Sequence, residues 1–202
     1  MKHASRLLSL LVLTAAFVLL AGSSCGKKTA PDRVWDRGAF GPVTENMKDY
    51  SLPAGITIDS LYGYGDYIPE SDLPLYMVVS NTNSGNTQVT FPAGLVFEPG
   101  NLEYKYMMLL KDFTFTANAG VTDSILVPTY GCNDDLSEPD DESNYSNGWQ
   151  EWDKETDELF TLVANKALNT DEAVTLAQDA LTEITDEEGL TDATRTALNA
   201  LP

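Results

Sequence analysis

Between residues 56 and 128 the chain consists of short apolar segments separated by turn residues, and this pattern limits the fold more than any other feature. Residues 56–61 and 88–91 alternate apolar and polar side chains, whereas residues 75–79 are compact and apolar. Alternation with a period of two is typical of half-buried strands. Six or seven strands at this spacing predict a mainly β fold, an Ig-like antiparallel β-sandwich.

The turns between these segments predict how the strands are connected. Residues 81–86 (NTNSGN) are rich in Asn, Ser and Gly, which tolerate the left-handed backbone of tight turns. We therefore expect residues 75–91 to form a β-hairpin. Further strands are expected at residues 104–110, 113–116 and 124–128, and residues 62–67 fit either an edge strand or a loop.

After residue 150 the apolar period becomes helical. Thr156 is placed to cap a first helix, and a second is expected from Asn169, where Glu172 completes a capping-box spacing. Thr191 is placed to cap a third helix. We expect two or three short helices that pack on the sandwich, because about 50 residues make a poor independent core.

The first 25 residues have the order of an export signal. Basic residues among positions 1–6 precede an uncharged apolar run at 7–20 and small residues at 21–24, directly before Cys25. The run is shorter than the roughly 20 residues of a transmembrane helix. An ordinary cleaved signal with an incidental cysteine is one interpretation.

The other interpretation follows from a resemblance, because a cysteine directly after the cleavage zone resembles a bacterial lipoprotein precursor. The resemblance implies that Cys25 carries the lipid, diacylglycerol and palmitate, and that the membrane is a partner through this anchor. Gly26, rather than Asp, after the cysteine implies the outer membrane, with the periplasmic or surface face left open. The expected domains are the signal peptide at 1–24, the tether and lead-in at 25–50, the sandwich at 51–148, and the end of an acidic linker with the helices at 149–202.

The charge and the histidine count exclude several function classes. Loss of Lys2 and Arg6 with the signal takes the formal charge from −19 to −21, which disfavours nucleic acid as a partner. The single histidine, His3, leaves with the same segment, so catalysis by Ser-His-Asp or Cys-His is excluded. No cofactor is expected. Carboxylate-pair chemistry, as in glycan hydrolases, remains open.

A second resemblance lies in the body of the chain. Residues 89–100 (VTFPAGLVFEPG), 107–110, 125–133 and the helix at 177–186 resemble an uncharacterised exported sandwich module. A cysteine followed by a Gln-x-Ala helix is also similar to the thioester domains of bacterial surface adhesins. That similarity implies a crosslinked pair of Cys132 and Gln178. The alternative is a small buried cysteine and a solvent-facing glutamine.

Two further groups are candidates for ligand binding. Asp140, Asp141 and Glu142 could offer oxygen ligands to calcium, although the glycine turn and closing Glu of an EF-hand are absent. A mobile, solvated linker is the preferred interpretation of this acidic run. Trp149 and Trp152 could stack on a sugar, or could pin the linker onto the core.

Together these features predict a lipid-anchored cell-envelope protein that acts as a non-catalytic binding or structural module. The expected partner is a glycan or another envelope protein. A carboxylate-dependent glycan hydrolase and a thioester-type adhesin are the alternatives.

Overall fold

The computed structural model describes residues 47–66, 68–151, 153–186 and 189–202. Ten strands precede three helices in this part of the chain. The strands are β1 (Met47–Lys48), β2 (Ile56–Gly63), β3 (Leu75–Asn81), β4 (Thr87–Phe91), β5 (Leu95–Pro99), β6 (Tyr106–Met108), β7 (Phe113–Ala117), β8 (Thr122–Val127), β9 (Tyr130–Cys132) and β10 (Tyr145–Glu151). The helices are α1 (Lys154–Val163), α2 (Asp171–Thr185) and α3 (Asp192–Ala200).

The strands form three antiparallel sheets. Sheet A has the order β1-β10-β5-β6-β9, sheet B the order β2-β3-β8, and sheet C pairs β4 with β7. This arrangement confirms the mainly β sandwich with a C-terminal helical segment that the sequence predicts.

Sheet A is the middle layer of the molecule. Leu95 and Phe97 on one of its faces pack with sheets B and C, whereas Val96 packs with the helices on the other. A strand covered on both faces needs apolar side chains at every position. This explains why residues 104–110 are almost continuously apolar. The helices pack on one face of sheet A, and sheets B and C pack on the other.

Strand β10 is not among the strands that the sequence predicts. Its Tyr145, Trp149 and Glu151 are buried, while the polar side chains between them obscure the alternation. A register shift between Asn147 and Gln150 breaks the period of two further. The sandwich therefore extends to Glu151, three residues beyond the expected boundary.

The expected hairpin at 75–91 is wrong, although both of its strands exist. β3 pairs with β2 and β8, and β4 pairs with β7 in another sheet. Buried Asn81 stabilises the connection from β3 to β4, because its Nδ2 donates to the carbonyl oxygens of Ala117 at 2.9 Å and Gly85 at 3.1 Å. The turn residues thus connect two sheets of the sandwich rather than two neighbouring strands.

The helices begin at side-chain caps. Asp153 caps α1 by accepting from the Glu155 and Thr156 amides, so Thr156 lies one turn inside the helix rather than at its start. Thr170 caps α2 one residue after the expected Asn169, and Thr191 caps α3 as expected. Among the described residues no helix combines the length and apolarity that crossing a membrane requires.

Candidate functional site

Two of the predicted site residues, Cys25 and Trp152, lie outside the described residues. Trp149 lies in β10 and is 3% exposed. Its ring packs edge-on against Tyr106, and its Nε1 donates to Glu151 Oε2 at 2.9 Å. Trp149 therefore offers no open face to a sugar and instead contributes to the core between sheet A and the helices.

The acidic run contacts the sandwich through its backbone, while the side chains of Asp140, Asp141 and Glu142 remain exposed to solvent. Asp140 Oδ1 accepts from the Ser143 amide at 2.8 Å, and Tyr104 donates to its Oδ2 at 3.1 Å. A Cβ on Gly63 would lie 2.5 Å from the Asp140 nitrogen, so this backbone packs directly on β2. Within the described ranges, no three Asp, Glu, Cys or His side chains are grouped so that they could hold a metal ion.

The structure brings Cys132 and Gln178 to one junction between sheet A and α2. Cys132 ends edge strand β9 and is fully buried, in the same core cluster as Ala177 of α2. Gln178 Oε1 accepts from the Gly131 amide at 2.9 Å, and its Nε2 donates to the Gly131 carbonyl at 2.8 Å. The carboxamide thus pairs with the outer edge of β9 as another strand would.

The opposite face of β9 carries a buried cation. The stem of Lys105 lies against Gly131, where an added Cβ would come within 2.9 Å of Lys105 Cδ. The Lys105 ammonium is paired with Asp134 at 3.2 Å, and Lys105 is 7% exposed. The space that a side chain at position 131 would need is therefore filled by the Lys105 stem and Leu73, while the Gln178 amide lies along the edge of the strand.

A cleft of about 480 Å³ lies between α1 and the segment that joins β6 to β7. Its walls are apolar at Leu110 and Phe160 and acidic at Asp112 and Asp157. Asp112 accepts from the Ala93 amide at 2.8 Å. Burial raises the pKa of Asp157; among the charges, Lys48 lowers this pKa and Asp153 raises it. Two carboxylates in different environments thus line one cleft.

The outer face of sheet B carries an aromatic row that the sequence did not reveal. Tyr62 of β2 and Tyr76 of β3 are directly paired across the strands, and their ring centroids are 5.0 Å apart at an interplanar angle of 29°. Tyr64 adds a third ring, 6.3 Å from Tyr76 at 27°. All three side chains are partly exposed, and Leu126 of β8 lies opposite Tyr76.

The other end of this face is polar. Ser80 donates to the Asp59 carboxylate, and its hydroxyl lies 2.7 Å from that of Thr122. Thr57 also donates to Asp59, at 3.1 Å. Between the two ends lies a row of Ser60, Val78 and Ser124. We call this whole surface the tyrosine face: Thr57, Asp59, Ser60, Tyr62, Tyr64, Tyr76, Val78, Ser80, Thr122, Ser124 and Leu126.

A sequence signal for the tyrosine face exists, but it is weak. Tyr62 and Tyr64 are two residues apart, so they lie on one side of an extended chain. Their partner Tyr76 becomes recognisable only once β2 and β3 are known to pair in this register.

Comparison with protein-family models, with curated proteins and with solved structures finds no match for this chain.

Proposed function

We propose that this protein is a lipid-anchored component of the bacterial cell envelope that acts as a non-catalytic binding module. The anchor rests on Cys25, which follows an export signal at the position where a lipoprotein precursor is modified. Gly26 favours the outer membrane. The anchor would leave the folded part of the chain free to reach a partner, because about 20 residues separate Cys25 from β1.

The observation that carries the binding role is the tyrosine face. Its aromatic rings are partly exposed on a sheet whose other side is buried in the sandwich core. The helices cover sheet A instead, so they leave this face open. Exposed aromatic side chains that combine an apolar ring with a hydroxyl are typical of binding surfaces.

The anchor is tested by fractionation of cells that express the full chain. We expect the wild-type protein in the membrane fraction and the Cys25→Ser variant in the soluble fraction, with unchanged melting behaviour. Cys132→Ser is the matched control and should remain in the membrane. A version of the chain without residues 1–24 should be found in the soluble fraction. If it is, and Cys25→Ser still remains in the membrane fraction, the lipid-anchor proposal is wrong.

A thioester adhesin is the second candidate, and the position of Gln178 beside β9 favours it. In this reaction the Cys132 thiol attacks the amide carbon of Gln178, a C–S bond forms, the C–N bond breaks, and ammonia leaves. The carboxamide would have to leave Gly131 for this step. Intact mass of the unreduced full chain decides: a deficit of one ammonia that Cys132→Ser abolishes supports the thioester, and an unaltered mass excludes it.

A carboxylate-dependent hydrolase is the remaining candidate, and the cleft between α1 and residues 109–113 is its location. Burial raises the pKa of Asp157, which is the direction that a general acid requires, and Asp112 lines the same cleft as a second carboxylate. Release of reducing sugar from envelope polysaccharides, lost in Asp157→Asn and in Asp112→Asn, would support this activity. Equal release by both variants and wild type would exclude it.

A further inference from the structure

We infer that the tyrosine face binds an uncharged glycan chain. This inference rests on the proposed function, which it extends by naming the class of ligand. It depends on three properties of the face: its size, its charge and the arrangement of its polar groups.

The size of the face suits a short ligand segment better than a folded protein. Strand spacing and rise give a surface about 10 Å wide, from β2 to β8, and about 13 Å long, from Tyr76 to Ser80. A stable protein interface requires about 800 Å² from each partner. The tyrosine face has eleven residues, fewer than the roughly 20–30 that each side of such an interface contributes, but enough to contact a few linked sugar rings.

The charge of the face disfavours anionic ligands. Besides the tyrosines, the carboxylate of Asp59 is the only ionisable group of the face, which contains no lysine or arginine. The whole chain carries a formal charge of −19, so an acidic polysaccharide would be repelled from every side. A neutral glycan does not meet this repulsion.

The polar groups match a hydroxyl-rich ligand. At one end, the nearly parallel rings of Tyr62, Tyr64 and Tyr76 offer apolar surface to the C–H groups of a sugar. None of their three hydroxyls forms a hydrogen bond with another group in the part of the chain that the structure describes, so all three remain open to sugar hydroxyls. At the other end, Asp59 and Ser80 supply an acceptor and a hydroxyl, and the two ends lie on the same face of sheet B.

Affinity electrophoresis of the detergent-solubilised full chain tests this inference. The native gels contain mixed-linkage β-glucan, xylan, mannan or dextran as neutral probes, and polygalacturonate as the anionic probe. We expect retardation in at least one neutral gel and none in polygalacturonate. The double variant Tyr62→Ala/Tyr76→Ala should weaken binding at least about tenfold, as expected for loss of central aromatic contacts.

Two further variants keep the test decisive. Tyr62→Phe/Tyr76→Phe retains the rings, so the fold persists and binding should weaken by a smaller factor. Leu102→Ala removes an exposed apolar side chain outside the face and should bind as wild type. No retardation in any neutral gel, or retardation that the tyrosine variants leave unchanged, would overturn the inference.

The nature of the partner separates failure of this inference from failure of the proposed function. A photo-crosslinking amino acid can be introduced in place of Ser124. If it captures an envelope protein and no neutral glycan binds, the glycan inference is wrong, but the proposal of a binding module stands. Absence of the wild-type protein from the membrane fraction, or retention of Cys25→Ser there, would instead contradict the anchored module, whatever the gels show.

Discussion

The side chain of Gln178 forms two hydrogen bonds with the main chain of Gly131, one in each direction. Gly131 lies in β9, which pairs with β6 on one side only, so the glutamine occupies the β9 edge of sheet A. An uncovered edge is a template for pairing with another chain. One carboxamide of α2 thus ties the helical layer to the sheet and also covers its edge.

Gln178→Ala should destabilise the protein by about 1–3 kcal/mol, because it leaves a partly buried amide and carbonyl without a protein partner. The free energy of unfolding, measured in urea, checks this value. Thr175→Ala on the exposed side of the same helix is the matched control and should lie within about 0.5 kcal/mol of wild type. Equal effects of the two substitutions would mean that the edge contact contributes nothing.

Asp153→Ala should cost about 1–2 kcal/mol, because it removes the N-cap of α1. The Asp153 carboxylate is fully buried and accepts from the amides of Glu155 at 2.8 Å and Thr156 at 3.0 Å. Urea unfolding provides the measurement, and Asp153→Asn, which keeps an acceptor oxygen, should lose less. Asp171→Ala, at an exposed position in the first turn of α2, is the control. If Asp153→Ala lowers the free energy of unfolding by no more than the control does, the capping role is wrong.

The strands could be predicted from the sequence, but their pairing could not. Period-two alternation records local burial, so β2, β3 and β7 are visible in a short window. Which strand lies beside which depends on contacts far apart in sequence. The turn at 81–86 resembles a hairpin turn because tight turns and connections between sheets need the same residues. The two are distinguished by the pairing of the flanking strands, with β3 in sheet B and β4 in sheet C.

The sequence pattern predicts neither the tyrosine face nor strand β10, and the reasons are related. A tyrosine on a strand suits either a core or a surface, and Tyr76 became part of a surface only through its pairing with Tyr62. In β10, the buried Tyr145 and Trp149 stand four residues apart amid polar side chains and a register shift. The meeting of Cys132 with the Gln178 helix was predicted through the resemblance, whereas the bonds to Gly131 were not.

The ion pair between Arg195 and Glu158 should make stability depend on acid pH. The Arg195 side chain donates to both Glu158 oxygens, at 2.8 and 3.1 Å, and these hydrogen bonds lower the pKa of the carboxyl below 4.5. A lowered folded pKa contributes stability above the unfolded pKa, and this contribution is lost as the pH falls through the folded value. Both side chains are more than a third exposed, so solvent limits the contribution to less than about 1 kcal/mol.

Unfolding of wild type and Arg195→Met at pH 7 and below pH 4 measures this contribution. The two proteins should differ at pH 7 and converge in acid. Lys154→Met removes a positive charge near Glu158 but keeps the hydrogen bonds from Arg195 to Glu158, so this variant should differ less from wild type. A difference between wild type and Arg195→Met that stays constant over the whole range would exclude the ion pair as its cause.

Ionisation of Tyr50 and Tyr145 should destabilise the fold in alkali. Burial raises the pKa of Tyr50 to about 12, and it raises the pKa of Tyr145 still further from its ordinary value of 10. Because the folded state holds these protons more tightly, their contribution is complete below pH 10 and is lost as the pH rises from 10 through the folded values. Unfolding free energies at pH 8 to 11.5 should therefore fall, and tyrosinate absorbance should appear together with unfolding.

Tyr145→Phe isolates one of these groups. The variant loses the hydrogen bond from the Tyr145 hydroxyl to the Lys105 carbonyl, 3.0 Å long, so at pH 8 it should be less stable than wild type by about 1 kcal/mol. Because phenylalanine has no proton to lose, its stability should fall less steeply with pH, and the two curves should approach each other above pH 10. Parallel curves would show that Tyr145 ionises as easily in the folded state as in the unfolded one, contrary to its burial in the core between sheet A and sheets B and C.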